Sequence, residues 1–270
     1  MKRIGIVAAA SLVLALAGPT SIASARGASL PAPVPCDGCY APPLDVVWQW
    51  QLQGTVDTTV TADLFDVDGF ENTKAFVKGL HDQGDAAICY ISAGSWENFR
   101  PDAGAFPESV KGASNGWPGE RWLDIRRLAV LRPIMDARIQ MCADKGFDAI
   151  EFDNVDGYQN HSGFPLTAAD QARYNVFLAN RAHTLGLSAV LKNDLGQVEL
   201  LLPYFDFALN EQCFQYRECS KLKPFVAAGK AVLGVEYKTD TSVFCPKAAA
   251  DGFSFMKKKL SLRAWRELCP

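Results

Sequence analysis

The stretch Ile150-Glu151-Phe152-Asp153-Asn154-Val155-Asp156-Gly157-Tyr158 is the part of this chain best equipped for chemistry. An alternating apolar segment runs straight into several carboxylates and a glycine. A carboxylate cluster has no packing purpose and is costly to bury, so such groups line a wet cleft. Two carboxylates flanking a bond can cleave a glycosidic linkage. One protonates the leaving oxygen, and the other attacks or stabilises the oxocarbenium-like carbon. Aromatic faces such as Trp50, Trp96 and Tyr158 suit the apolar faces of sugars, although any one of them alone is more often ordinary core or rim packing.

Such groups need a scaffold, and the chain reads as one. Short β-rich runs at 45–51, 62–67, 86–92, 148–153, 188–193, 206–211, 231–237 and 251–256 alternate with helical stretches. The clearest helices are Phe70 to Gln83 with Gly84 after it, Arg132 to Lys145 with Pro133 in its first turn, and one begun by Thr167 and Asp170. Alternation of this kind implies parallel strands joined by right-handed crossovers. Eight units would close a (β/α)8 barrel, whereas six or seven would leave an open doubly wound sheet. No G-x-G-x-x-G follows the first strand, which favours the α/β barrel over a dinucleotide-binding sheet.

A barrel gathers function at the C-terminal ends of its strands. Reading those ends collects Trp50, Asp63, Asp66, Tyr90, Asp153, Asp156, Lys192, Asn193, Glu211, Glu236 and Tyr237 on one rim. That convergence is a stronger signal than any single motif.

At the other end of the chain, Lys2 and Arg3 precede an uncharged run from Ile4 to Ala17 and a small-residue stretch closing Ala23-Ser24-Ala25. The pattern is that of a signal peptide spanning residues 1–25, so a secreted protein is expected. Residues 26–43, rich in Pro, Ala and Ser, read as an extended lead-in, and 44–270 as the single barrel domain. No segment predicts a membrane span. Loss of Lys2 and Arg3 with the leader makes the net charge more negative than the −3 of the whole chain. This argues against a nucleic-acid partner, and Lys257-Lys258-Lys259 reads as a solvated helix start. A monomer is expected. All eight cysteines follow the leader, which fits an oxidising compartment. Proximity pairs Cys36 with Cys39, Cys213 with Cys219 and Cys245 with Cys269, leaving Cys89 for Cys142. A zinc site at Cys36-x-x-Cys39 lacks its remaining ligands.

Several motifs together resemble glycoside hydrolase family 114. They are Trp48-x-Trp50-Gln51-Leu52; Asp63-Leu64-Phe65-Asp66; Cys89-Tyr90-Ile91-Ser92-Ala93-Gly94 with Trp96-Glu97; Asp153-Asn154-Val155-Asp156-Gly157-Tyr158; and Leu191-Lys192-Asn193. Asn210-Glu211-Gln212-Cys213 and Gly234-Val235-Glu236-Tyr237 extend the likeness. The resemblance implies a (β/α)8 barrel with endo-α-1,4-polygalactosaminidase activity, such as would degrade galactosaminogalactan, and no cofactor. It also implies a catalytic pair at Asp153 and Glu211: Asp153 as nucleophile or charge stabiliser, Glu211 as general acid/base. Lys192 would sit beside Asp153, and Phe207 and Phe214 would give Glu211 an apolar flank. Glu236 is the substitute should Glu211 be a supporting carboxylate, and Glu151 is expected to be a buried structural group. The remaining substrate contacts would come from Trp50, Asp63, Tyr90, Trp96, Asp156, Tyr158, Lys192, Asn193 and Tyr237. The carboxylate excess would suit a polysaccharide carrying ammonium groups.

Two other classes compete. Asp153, Asn154 and Asp156 could chelate Ca²⁺ or Mg²⁺ in a metal-dependent hydrolase, but the loop lacks the further ligands of a calcium motif. A non-catalytic sugar-binding barrel would have no need of both Asp153 and Glu211.

Overall fold

The computed structural model describes residues 29–269; residues 1–25, expected to be a signal peptide, lie outside them. Eight parallel strands form the frame: β1 (Trp48–Gln51), β2 (Leu64–Asp68), β3 (Ala86–Ser92), β7 (Ala149–Asp153), β8 (Ser188–Lys192), β9 (Phe207–Glu211), β10 (Val232–Glu236) and β11 (Ser254–Lys258). Each lies beside its predecessor in that order, with β12 (Arg266–Leu268) antiparallel on β11. The sheet is a nearly closed barrel. At the seam, side chains replace a backbone ladder: Trp48 Nε1 donates to Ser254 O (3.0 Å), and Lys258 Nζ donates to Gln49 Oε1 (3.2 Å). Lys258 is fully buried there, so the lysine triplet belongs to a strand and its C-terminal turn rather than to a solvated helix.

Strand parity sorts the side chains. Alternate residues, Trp48, Trp50, Leu64, Ile88, Ala149, Val190, Leu209, Val235 and Met256 among them, pack together inside the barrel. Their neighbours, such as Phe65, Ile150, Phe152, Leu191 and Ala208, face the helices. Those helices are α1 (Lys74–Gln83), α2 (Leu128–Lys145), α3 (Ala168–Thr184) and α7 (Thr241–Asp251), with one-turn helices α4 (Val198–Leu201), α5 (Cys213–Tyr216) and α6 (Lys223–Ala227).

The helix signals acted with small offsets. Thr73 caps α1 by accepting from Phe76 N (3.2 Å), because Asp68 Oδ1 first ties down Phe70 N and Glu71 N in a turn. Thr167 and Asp170 form a full capping box on α3. α2 begins earlier than the sequence predicts, so Pro133 lies beyond its first turn. Leu131, Met135, Ile139 and Cys142 of α2 are completely buried on one stripe, where Leu131, Met135 and Ile139 contribute roughly 1.5–3 kcal/mol apiece.

The four disulfides join the expected pairs. Cys89–Cys142 ties β3 to α2 across 53 residues, a loop whose closure removes about 4 kcal/mol of unfolded-state entropy in the chain-entropy description. The lead-in packs against α3 and the base of the barrel. Asn180 receives Val34 N (2.8 Å), His183 Nδ1 lies 2.8 Å from Val34 O, and Tyr204 Oη donates to Pro31 O (2.7 Å).

One insertion escapes a simple β/α reading. Between β3 and α2, strands β4 (Ser95–Glu97), β5 (Lys111–Ser114) and β6 (Glu120–Leu123) form a separate antiparallel sheet in the order β4-β6-β5.

Candidate active site

Inward parity on β3, β7, β8 and β9, and on the residue that follows β10, brings Tyr90, Asp153, Lys192, Glu211 and Tyr237 together at the barrel mouth. Lys192 is the hub, its side chain 2 % exposed. Its Nζ donates to Glu151 Oε1 (2.6 Å) and Asp153 Oδ1 (3.0 Å), and lies 3.4 Å from Glu211 Oε2. It also sits 4.7 Å from the centre of the Trp50 ring. Burial pulls the Lys192 pKa down, but the charges of Asp153, Glu151 and Glu211 outweigh it and push the value well up. The ammonium therefore keeps its proton.

Donors orient both carboxylates. Asp153 Oδ2 accepts from Tyr90 Oη (2.9 Å) and Asn154 Nδ2 (3.0 Å). Glu211 Oε1 accepts from Tyr237 Oη, while Asn193 donates to Oε2 (3.4 Å) and its Oδ1 receives Glu211 N (3.0 Å). The apolar flank expected from Phe207 and Phe214 is elsewhere. Phe207 lies deeper inside the barrel and Phe214 packs on Phe244 and Phe255. Each of the three strands ends in a left-handed residue: Asn154 (φ 63°), Asn193 (φ 52°) and Gln212 (φ 66°). Such conformations cost about 1–3 kcal/mol apiece and are held only where the surroundings impose them. Here they turn the chain sharply, leaving Asp153, Lys192 and Glu211 at the lip. Gly94 makes room for one of these turns, since a Cβ there would meet Asn154 O at 1.7 Å.

A second charged layer lies beneath. Glu151, fully buried, accepts from Lys192 and from Trp50 Nε1 (3.2 Å). Asp66 faces Glu151 and is equally buried, with no donor on either oxygen. Burial, then the charge of Glu151, raises the Asp66 pKa well above the carboxylate range, so Asp66 holds the proton that lets the two acids face each other. Asp66 is thus part of the floor and not of the wet cleft.

Above this floor opens a cavity of about 1020 Å³, at the top of the usual ligand-site range. Trp50, Tyr90, Asp153, Lys192, Glu211 and Tyr237 line its base.

The model for glycoside-hydrolase family GH114 matches residues 31–270. This chain belongs to that family, and it is a glycoside hydrolase. Among solved structures, the GH114 chain is similar to Aspergillus fumigatus Ega3 in complex with galactosamine, with 39 % identity and a TM-score of 0.81. That match covers 85 % of this chain and 97 % of the other. The glycoside hydrolase domain of Pseudomonas aeruginosa PelA shares the fold at 14 % identity and TM-score 0.64, over 83 % and 98 % of the two chains. No curated protein sequence matches.

Six expected residues stand apart from the base of the GH114 cleft. Asp63 precedes β2 and accepts from Val47 N (3.3 Å) at the opposite end of the barrel, because only the C-terminal ends of parallel strands reach the mouth. Glu236 has the wrong parity. It is buried behind β10, where it accepts from Phe214 N (2.8 Å) and Thr239 Oγ1 (3.0 Å), and so cannot replace Glu211. Trp96 lies in β4 with its Nε1 on Ala103 O (3.0 Å) and Lys111 against its ring. Asn193 acts behind Glu211. Asp156 and Tyr158 sit one shell out: burial and the charge of Asp153 raise Asp156 to about 6, while Tyr158 pairs with Asp194. Asn154 turns its amide nitrogen, not its oxygen, toward Asp153, which does not suit shared chelation. Among the described residues no trio of His, Cys, Asp or Glu is grouped to hold a metal ion.

Asp194 is a consequence of this crowding. It is 1 % exposed, held by Asn175 Nδ2 (2.9 Å), and burial followed by the charge of Asp156 lifts its pKa to about 8. An unfolded Asp titrates near ~3.9, so between these values the folded protein keeps a proton that the unfolded chain has released. Stability contributed by Asp194 therefore falls as pH rises through that window. Asp194→Asn is expected to gain in melting temperature over the parent as pH goes from about 5 to about 8. A pH-independent difference between the two would contradict it.

Residues unforeseen in the sequence line the cleft's outer walls: Asp68, Glu97, Phe99, Arg100, Trp117 and Glu120. Arg100 pairs with both Asp68 (2.7 Å) and Glu97 (2.8 Å). Its neighbour Arg138 clasps Asp102 (2.7 Å) and donates to Ser92 O (2.6 Å), which locks the insertion onto β3. The Trp96-Glu97 motif hinted at this wall, but the partners lie too far along the chain to be paired by eye.

Proposed function

We propose that this protein is a secreted endo-acting hydrolase of α-1,4-linked, galactosamine-containing polysaccharide, with Asp153 as nucleophile and Glu211 as general acid/base. The observation that carries the proposal is the Lys192 bridge between the two carboxylates at the base of the cleft. The 3.0 Å and 3.4 Å legs limit the separation of Asp153 Oδ1 and Glu211 Oε2 to at most ~6.4 Å. Inverting enzymes keep their carboxyl groups about 6.5–9.5 Å apart to admit a water, and retaining ones about 5–5.5 Å. Asp153 attacks the anomeric carbon while Glu211 protonates the departing oxygen. Glu211 then deprotonates the water that releases the sugar from Asp153. Retention is the expected outcome: NMR of the first product formed should show the α-anomer, and a β-anomer would exclude a covalent Asp153 intermediate.

The relative Ega3, in complex with galactosamine, supports the sugar assignment. So does charge. The cavity lining carries Asp68, Glu71, Glu97, Glu120, Asp153 and Glu211 against Arg100, Lys192 and Arg263. An acidic cleft concentrates a cationic polymer, and salt screens the attraction. Raising ionic strength from about 0.05 M to about 0.5 M should raise KM several-fold on partly deacetylated polymer and far less on the fully N-acetylated form. Equal responses would remove the electrostatic support. Four disulfides fit export, as the leader predicts. The test of function is product size after incubation with galactosaminogalactan and with an α-galactan lacking amino sugars. Oligomers from the first alone are expected, whereas an inert result with both would refute the proposal.

A further inference from the structure

The β5–β6 hairpin and the end of β4 form a second feature of the cleft. A single exposed apolar side chain is ordinary on a protein surface, but two exposed aromatic rings on one wall of a ligand-sized cavity are less so. Trp117 is 55 % exposed and Phe99 59 %, and both line the catalytic cavity. The mounting is rigid. Asn115 Oδ1 accepts Trp117 N (3.0 Å), Trp117 O accepts Glu120 N (3.2 Å), and Asn98 N donates to Gly119 O (2.9 Å). Gly116 (φ 101°) and Gly119 (φ 86°) bracket Trp117-Pro118 and supply backbone angles that other residues rarely adopt. Arg100 lies 5.1 Å from the Phe99 ring centre and backs one of its faces. A backbone braced this way need not be ordered anew when a ligand stacks on the indole it carries.

Glu120 stands on the same wall. Its Oε2 accepts from Asn115 Nδ2 (2.7 Å) and Ser95 Oγ (3.2 Å), both neutral donors. Asp68 and Glu97 nearby share Arg100 as their partner. No cation of the described residues pairs with Glu120, so its charge is open to a cation from outside. An aromatic plate beside an unmatched carboxylate suits a ring that is apolar on its face and ammonium-bearing at its edge.

We propose that Trp117, Phe99 and Glu120 form a remote subsite for an amino-sugar residue of the substrate chain, the aromatics taking its apolar face and Glu120 its ammonium group. This subsite rests on the amino-sugar substrate proposed above. Its occupant is the polymer, because the wall is continuous with the cavity whose base holds Asp153 and Glu211. Binding there adds affinity for long chains without touching the reacting bond.

Steady-state kinetics on galactosamine oligomers of graded length, in free-amine and N-acetylated forms, test it. Trp117→Ala should raise KM roughly tenfold on the longest oligomers, with a progressively smaller rise as the chain shortens. Trp117→Phe should recover most of that loss, and Phe99→Ala should repeat the pattern if Trp117→Ala proves unstable. The KM rise with Glu120→Gln should be confined to free-amine oligomers. A parent enzyme that cleaves the polymer, with Trp117→Ala unchanged in KM at every length, overturns the subsite and leaves the proposed function standing. So does a Trp117→Ala effect on self-association alone. A parent enzyme that cleaves no galactosamine oligomer removes both together.

Discussion

Asp153→Asn is expected to lower kcat by ~10⁴-fold or more while leaving the fold intact, the loss typical of a removed nucleophile. Size and shape are conserved, and the amide oxygen still accepts from Lys192 or from Tyr90, two of the three donors that now hold the carboxylate. What disappears is the charged oxygen that would bond to carbon. Glu211→Gln should cost less, about 10²–10⁴-fold, because it removes proton transfer alone. The two variants separate on an activated aryl glycoside, whose leaving group needs no protonation. Glu211→Gln should recover the first step on that substrate and Asp153→Asn should not. Recovery by Asp153→Asn instead would exchange the two roles.

Lys192→Met carries the second largest expected effect, on stability and activity together. Removing the ammonium leaves Glu151, Asp153 and Glu211 facing one another around the buried position that it held. Breaking a buried ion pair from one side costs about 3–5 kcal/mol, since the remaining charges lose their compensation. The penalty acts on carboxylates only when they are ionised. The variant should therefore melt closer to the parent near pH 4 and fall further below it as pH rises to 8. Its turnover should drop with the loss of the bridge that spaces Asp153 from Glu211. A variant as stable as the parent at pH 8 would mean that the four groups are not packed as described.

Much of this site was legible in the chain because parallel β/α architecture places residues by simple rules. Asp153, Lys192 and Glu211 each follow an apolar run with β character, so each marks a strand end. The same rule misled at Asp63, which also borders an apolar run, but at the strand's beginning. Glu236 and Tyr237 are adjacent in sequence, and only alternation decides which one faces inward. The apolar residues Val232, Leu233 and Val235 give no periodic cue, since both faces of a parallel strand are buried. Lys258 was hidden for a related reason: three lysines in a row signal solvent, yet a strand turns the middle one into the seam. The insertion was the largest omission. Lys111–Ser114 contains a glycine and no strong strand former, and its pairing with β6 is irregular. Trp117, Phe99 and Glu120 could not be placed without it. The Asp68–Arg100–Glu97 network likewise depends on a long-range fold that no local pattern encodes.

The most direct measurement is mass spectrometry of the enzyme quenched during reaction with a 5-fluoro-galactosaminyl fluoride, which slows release of a covalent intermediate more than its formation. The expected result is an adduct of one sugar on the peptide containing Asp153, absent from Asp153→Asn. An adduct on the Glu211 peptide, or turnover without any adduct and with inverted product, would contradict double displacement through Asp153.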